Sequence, residues 1–139
     1  MKVRDAMAAD VRSVGPGQSI AQAARIMSEA GTGFLPVTEA DRPVGVVTDR
    51  DIVVRFVAGG GGDASATTVS EVMSSKVTTV GPDDHLATAA EVMRDGAVRR
   101  LVVIDAGVVV GVLSHGALVQ ATDGEGAGLQ ATLGVTAGA

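Results

Sequence analysis

The sequence predicts an α/β (α+β) fold built from two copies of one unit, and three observations carry this prediction. The chain has 139 residues, 46% of them hydrophobic, which is enough to bury a sizeable core. Its residues repeat at an offset of 66, with identity at 17 of 51 positions when 3–53 is laid over 69–119 without a gap. The hydrophobic pattern of each copy is typical of a helix, two strands and a second helix.

The first helix of each copy is predicted from its ends and its apolar face. In the first copy Ser19 and Gln22 are spaced as a capping box, and Gly31 can end the helix. In the second copy Asp84 is the predicted N-cap and Gly96 the predicted stop. The residues at helical spacing on the two apolar faces are Ile20, Ala23, Ala24 and Met27, and Leu86, Ala89, Ala90 and Met93.

Two short β-rich runs follow each first helix. The first copy has FLPVTE and PVGVVT separated by ADR, and the second has RLVVID and VVVGVLS separated by AG. Second helices are predicted over DRDIVVRFV and HGALVQAT. The chain is thus divided into a first repeat at 1–58, a flexible Gly-rich linker at 59–68, a second repeat at 69–122 and a Gly/Ala-rich tail at 123–139.

The composition excludes several classes of function. The net charge is −5, no Lys/Arg run is present and two Phe are the only aromatic residues, so no nucleic-acid binding is expected. The chain has no Cys, no signal-peptide core and no run long enough to span a membrane, which favours a cytoplasmic protein. His85 and His115 lack metal-ligand spacing and an acid–base partner, so no metal site, catalytic residue or enzyme activity is predicted.

The motif GVVTDRD carries the chemistry. Thr48 and Asp51 are spaced as a helix capping box, which gives this pair a purely structural interpretation. The same hydroxyl and carboxylate, beside the free amides of a first helical turn, also suit the ribose and phosphate of a ribonucleotide. The second copy reads GVLSHGA, with Gly116 and Ala117 in place of Arg50 and Asp51. The second motif therefore lacks the carboxylate that could hold a ribose.

The doubled pattern of Met, V-x-x-V-x-P, an Ala-rich helix ending in Met, FLPV or RLVV, and G-V-V-T-x-R-D-I resembles a tandem pair of cystathionine-β-synthase (CBS) domains, or Bateman module. The resemblance covers residues 3–119 and is strongest for stand-alone pairs of the actinobacterial hypoxic-response type. It implies two βαββα-like repeats packed through their small sheets with pseudo-twofold symmetry, and a homodimer. It also implies two clefts, which in many members bind AMP, ADP, ATP or S-adenosylmethionine as a regulatory ligand.

The resemblance, carried over residue by residue, implies one nucleotide cleft and one weaker cleft. In the first cleft apolar side chains face the adenine, Asp51 holds the ribose, and Thr48 and arginines meet phosphate. The residues of this nucleotide cleft are Val46, Thr48, Arg50, Asp51, Ser75, Lys76, Val77, Val98, Arg99 and Arg100. Those of the weaker cleft are Val11, Gly33, Phe34, Val112, Ser114 and His115. As patterns alone, Arg99-Arg100 also fits a solvated pair and His115 a surface residue.

Two functions are consistent with these observations. The first is a non-catalytic sensor that binds an adenosine-containing nucleotide and signals to an unidentified protein partner through a conformational shift. The second is a ligand-free platform for dimerisation and for a partner protein. Replacing Asp51 separates them, because only the sensor has an affinity to lose.

Overall fold

A computed structural model describes residues 1–123, which divide into two compact units, each with a hydrophobic core. The Asp51 unit contains residues 11–77. The His115 unit contains residues 1–10 and 78–123. Helices and small sheets alternate in the order that the sequence predicts, so the α/β class is confirmed. The predicted tail lies outside the described residues from position 124 on.

The Asp51 unit is built on one antiparallel strand pair. Helix α1 spans Ile20–Ala30, strand β1 Phe34–Glu39, strand β2 Arg42–Thr48 and the short helix α2 Asp49–Asp51. A π-helical segment at Ile52–Val57 continues α2, and a 3-10 turn follows at Val69–Glu71. The buried core residues are Val14, Ile20, Ala23, Met27, Leu35, Val37, Val47, Val69 and Val72.

The His115 unit repeats this arrangement and adds a strand. It begins with a 3-10 turn at Val3–Asp5. Strand β3 spans Thr79–Val80, helix α3 Leu86–Gly96, strand β4 Arg100–Asp105, strand β5 Val108–Ser114 and helix α4 His115–Asp123. β4 pairs antiparallel with β5 and parallel with β3. The sequence did not predict β3, because a strand of two residues has no alternation to detect.

Each unit contains a segment of the other sequence repeat. The amide of Ile20 donates to the carbonyl of Thr67 at 2.9 Å, and the amide of Leu86 donates to the carbonyl of Met1 at 3.1 Å. Val3 and Val69, which follow these carbonyls, are completely buried. The start of each repeat thus caps and covers the first helix of the other repeat, and the compact units do not coincide with the repeats.

The ends of α1 agree with the sequence. Ser19 Oγ accepts from the amide of Gln22 at 3.1 Å, and Gln22 Oε1 accepts from the amide of Ser19 at 2.8 Å, which confirms the capping box. Gly31 ends the helix with φ of 66°, a left-handed conformation that glycine adopts without a Cβ clash. Ala24 is exposed, so the apolar face is narrower than predicted.

The ends of α3 require two corrections. Asp84 is not the N-cap: its Oδ2 accepts from the amide of Gly81 at 2.8 Å, and the exposed His85 occupies the N-cap position without a side-chain hydrogen bond. The helix does not stop at Gly96 either. It includes Gly96, and the left-handed residue that ends it is Ala97, with φ of 51°.

The second half of the predicted linker is held by hydrogen bonds. The carbonyl of Asp63 accepts from the amides of Ala66 and Thr67, both at 3.0 Å. The carbonyl of Ala64 accepts from the amide of Ala21 at 3.0 Å. Residues 63–67 therefore form a turn fastened to the first turn of α1, which the Gly/Ser-rich composition alone did not indicate.

Candidate functional site

Thr48 and Asp51 together cap the N-terminus of α2. The amide of Asp51 donates to Thr48 Oγ1 at 3.1 Å, and the amide of Thr48 donates to Asp51 Oδ2 at 2.9 Å. The structural interpretation of this pair as a capping box is thus confirmed. The box uses Oδ2 only, and the Asp51 side chain is 18% exposed. Oδ1 can therefore still accept hydrogen bonds from a ligand.

Arg55 connects the Asp51 carboxylate to the segment before Ser75. Its Nε lies 3.8 Å from Asp51 Oδ1, and its Nη1 donates to the carbonyls of Val72 and Met73 at 3.2 and 3.3 Å. Arg55 is not among the site residues predicted from the sequence. The i, i+4 spacing between Asp51 and Arg55 is the signal that could have found it.

A backbone bridge joins β2 to the segment 75–77. Val46 and Ser74 exchange two hydrogen bonds of 2.9 Å. Gly45 permits this approach, because a Cβ there would lie 2.7 Å from the carbonyl oxygen of Ser74. Seven of the predicted site residues lie in the Asp51 unit: Val46, Thr48, Arg50, Asp51, Ser75, Lys76 and Val77.

The other three predicted nucleotide residues, Val98, Arg99 and Arg100, belong to the His115 unit. Both arginines line a pocket of about 220 Å³ together with Ser114, His115 and Gly116. The family resemblance implied one cleft for the arginines and another for Ser114 and His115. Here all four line one pocket, because β4 begins beside the end of β5, and the amide of His115 donates to the carbonyl of Arg99 at 2.7 Å.

Ser114 and His115 differ in how their polar atoms are used. Ser114 Oγ accepts from the amide of Ala117 at 3.1 Å and so caps α4. His115 Nε2 is buried and has no hydrogen-bond partner within residues 1–123. With two guanidinium groups and a hydroxyl beside it, the pocket is suited to an oxyanion.

The corresponding place in the Asp51 unit has the opposite charge. The amide of Asp49 donates to the carbonyl of Gly33 at 2.9 Å, as His115 does to Arg99. A Cβ on Gly33 would overlap the Asp49 carboxylate. Gly33 therefore makes room for an acidic group where the second repeat has basic side chains.

The remaining residues of the predicted weaker cleft are divided between the units. Val11 and Phe34 are half-buried in the Asp51 unit. Val112 is half-buried in the His115 unit and exchanges backbone hydrogen bonds with Ala8 at 2.9 and 3.0 Å. Among the described residues, no helix is long and apolar enough to cross a membrane, and no cluster of three or more His, Asp or Glu could hold a metal ion.

Comparison with known proteins agrees with this architecture. The CBS-domain family profile matches residues 3–58 and 69–124. The chain is 37% identical over 116 residues to the CBS domain-containing protein YhcV of Bacillus subtilis, covering 84% of this chain and 81% of that protein. It is 34% identical over 113 residues to Hypoxic response protein 1 of Mycobacterium tuberculosis, covering 81% and 78%.

Among solved structures, the fold is similar to the crystal structure of Hypoxic Response Protein I with two coordinated zinc ions. The TM-score is 0.77 and the identity 30%, over 86% of this chain and 98% of that chain. The two family matches and this likeness confirm the resemblance recognised in the sequence. The chain therefore belongs to the CBS-domain family, as a tandem pair of CBS domains.

Proposed function

We propose that this CBS pair is a regulatory module that binds an adenosine-containing nucleotide at the helix start formed by Thr48 and Asp51. AMP, ADP, ATP and S-adenosylmethionine form the ligand class. CBS-domain pairs are typically regulatory, which supports the first half of the proposal. The observation that carries the second half is the Asp51 carboxylate, held in place through Oδ2 while Oδ1 is left outside the capping box.

A carboxylate held through one oxygen, with the other outside the cap, is suited to binding the hydroxyls of a ribose. It accepts charge-assisted hydrogen bonds from vicinal hydroxyls, which are stronger than bonds between neutral groups. Because the amide of Thr48 holds the Asp51 side chain through Oδ2, part of its rotamer freedom is already lost before a ligand binds. The Thr48 hydroxyl accepts from the amide of Asp51 and can still donate its own proton.

The surrounding residues supply contacts of the kinds that the rest of a nucleotide needs. Val46 and Val77 are half-buried apolar residues on the two segments linked through Ser74, and they can pack against a purine. Arg50 and Lys76 are exposed cations, to which a phosphate chain can bind. A ligand that binds two conformations of the pair unequally shifts their populations, which is the proposed signal.

The test is a binding panel on the purified protein. AMP, ADP, ATP and S-adenosylmethionine are titrated by calorimetry, and the melting temperature is followed in parallel, since a ligand that binds only the folded state raises it. We expect at least one of them to bind. Asp51→Asn keeps a carbonyl oxygen for the cap and removes the charge, and should weaken that binding by about tenfold or more.

Asp49→Asn is the matched control. It removes the same charge two residues away, from a side chain whose Oδ1 accepts from the amide of Arg50. We expect this variant to keep the dissociation constant of the wild type within about twofold. A panel without any binding, or equal affinity in wild type and Asp51→Asn, would contradict the proposal.

A second function, a dimerisation platform, is favoured by an apolar surface on the π-helical segment. Val53, Val54 and Val57 are 58, 50 and 61% exposed. At the offset of 66, the residues of the second repeat equivalent to Val54 and Val57 are Gln120 and Asp123. Because only the first repeat has apolar residues at both of these positions, we propose that this face binds a second copy of the chain.

Light scattering after gel filtration tests the platform. Wild type should elute as a dimer, and Val54→Glu should elute as a monomer, because a charge on the apolar face opposes its burial. Gln120→Glu adds the same charge at the equivalent position of the second repeat and should leave the dimer intact. A monomeric wild type, or dissociation by both variants alike, would exclude this interface.

A further inference from the structure

We infer that Arg55 is a positioning residue, which couples the Asp51 carboxylate to the segment that carries Ser75, Lys76 and Val77. The inference rests on the proposed nucleotide site, and it assigns to that site a residue that neither the sequence motif nor the capping box includes. Arg55 itself is not expected to contact the nucleotide. It acts through the two groups that it holds.

The guanidinium of Arg55 makes contacts in two directions at once. Its Nε lies 3.8 Å from Asp51 Oδ1, the oxygen that the cap does not use. Its Nη1 donates to the carbonyls of Val72 and Met73 at 3.2 and 3.3 Å. A planar fork of donors can serve both sides in one conformation, whereas the single ammonium group of a lysine cannot.

The second contact acts on the base-binding side of the proposed site. Val72 is buried, and Ser74, which follows Met73, pairs with Val46. Holding the carbonyls of residues 72 and 73 therefore holds the backbone next to Ser74. Residues 75–77 continue the chain directly after Ser74. One side chain thus sets the distance between the proposed ribose acceptor and the proposed purine contacts.

The second repeat supports treating Asp51 and Arg55 as a pair. The positions 66 residues further on are Ala117 and Ala121. Both members are absent together from that copy, in which strand β5 is followed by the α-helix α4 and not by a π-helical segment. This is expected if Arg55 is needed where Asp51 binds a ligand.

The test compares Arg55→Met and Arg55→Lys with wild type, using AMP and 2′-deoxy-AMP as probes. We expect Arg55→Met to bind AMP roughly three- to tenfold more weakly. It should also lose part of the preference for AMP over 2′-deoxy-AMP, because the carboxylate is no longer held for the ribose. The AMP affinity of Arg55→Lys should lie between those of wild type and Arg55→Met, because a lysine can engage only one of the two groups at a time.

Two further measurements separate positioning from general stability. In the Asp51→Asn background, Arg55→Met should change the AMP affinity by less than it does in wild type. In the absence of nucleotide, amide exchange at Ser74, which donates to Val46, should be faster in Arg55→Met. Arg25→Met, which removes an exposed arginine of α1, is the matched control and should leave all of these quantities unchanged.

The failures of the two proposals are distinguishable. If wild type binds AMP and loses affinity in Asp51→Asn, but Arg55→Met keeps both the affinity and the ribose preference, the role of Arg55 is overturned while the site stands. If wild type binds no adenosine nucleotide, the site itself is overturned, and the role of Arg55 with it. Equal losses in Arg55→Met and Arg25→Met would also overturn the inference, because they would reflect charge alone.

Discussion

The amide of Ile20 donates a 2.9 Å hydrogen bond to the carbonyl of Thr67, so the first helix of the first repeat starts against the linker that leads into the second repeat. Val69 and Val72, just beyond Thr67, are buried in the same core as Ile20. The equivalent bond runs from Leu86 to Met1. Folding of either unit therefore requires residues from both repeats.

A fragment cut along the structural boundary should fold better than one cut along the sequence repeat. Residues 11–77 contain α1, β1, β2 and the buried Val69 and Val72, whereas residues 1–58 lack both valines and the cap of Ile20. We expect helical circular dichroism and dispersed amide resonances from 11–77 and a largely unfolded 1–58, because small domains tolerate little loss of core. A fragment 1–58 that folds as well as 11–77 would contradict this.

Gly45 and Gly111 should tolerate no side chain. A Cβ at Gly45 would lie 2.7 Å from the carbonyl oxygen of Ser74, and one at Gly111 2.8 Å from that of Ala8. Gly45→Ala and Gly111→Ala should each lower the free energy of unfolding by about 1–3 kcal/mol, measured with urea, because backbone must move. Gly17→Ala has open space around its Cβ and should change it by less than about 0.5 kcal/mol.

The sequence predicted the elements of this fold well, because its signals are local and doubled. The capping box of Ser19 and Gln22 and the left-handed Gly31 depend on neighbours within a few residues, and they are present as predicted. Which segments pair across the chain is not a local property. Nothing near Thr67 indicates that its carbonyl receives the amide of Ile20, so the exchange between the repeats was not predicted.

The sequence predicted individual features of the candidate site, but it did not predict which residues lie next to each other. The spacing of Thr48 and Asp51 predicts their mutual hydrogen bonds, since a first helical turn sets the distance. The neighbourhood of Arg99 depends on how β4 pairs with β5, which brings His115 to it. Strand pairing is set by the whole sheet and is not a local property, whereas the family resemblance had placed Arg99 and His115 in different clefts.

The ion pairs of Asp83 should contribute stability only above strongly acidic pH. Arg4 Nε donates to Asp83 Oδ1 at 2.9 Å, and this hydrogen bond lowers the pKa of Asp83, with a smaller contribution from Lys2. A lowered pKa in the folded state means that the contribution is complete above the ordinary pKa. It is lost as the pH falls through the lowered pKa, in a window below about pH 4.

Asp83→Asn is the corresponding variant. Its melting temperature should lie slightly below that of wild type at pH 6, and the difference should be smaller at pH 3. The effect is small because the carboxylate is 64% exposed, and it should shrink further in 1 M salt. A difference that is equal at both pH values would show that the charge of Asp83 is not its cause.

Exchanging Gly96 and Ala97 should stabilise the protein. Ala97 has φ of 51°, where its Cβ is disfavoured, and Gly96 is the last residue of α3, where glycine is a poor helix former. A Cβ on Gly96 would make only ordinary contacts, the nearest 3.6 Å from Val98. Gly96→Ala combined with Ala97→Gly should therefore raise the free energy of unfolding by about 1–2 kcal/mol in urea titrations.

The first repeat provides the reverse experiment. It has Ala30 and Gly31 at the equivalent positions, and Gly31 already has φ of 66°. Exchanging these two residues puts a Cβ into the left-handed position and a glycine into the helix, so it should destabilise the protein by a similar amount. If both exchanges shift stability in the same direction, the identity of the left-handed residue does not control these helix ends, because conformational preference alone requires opposite signs.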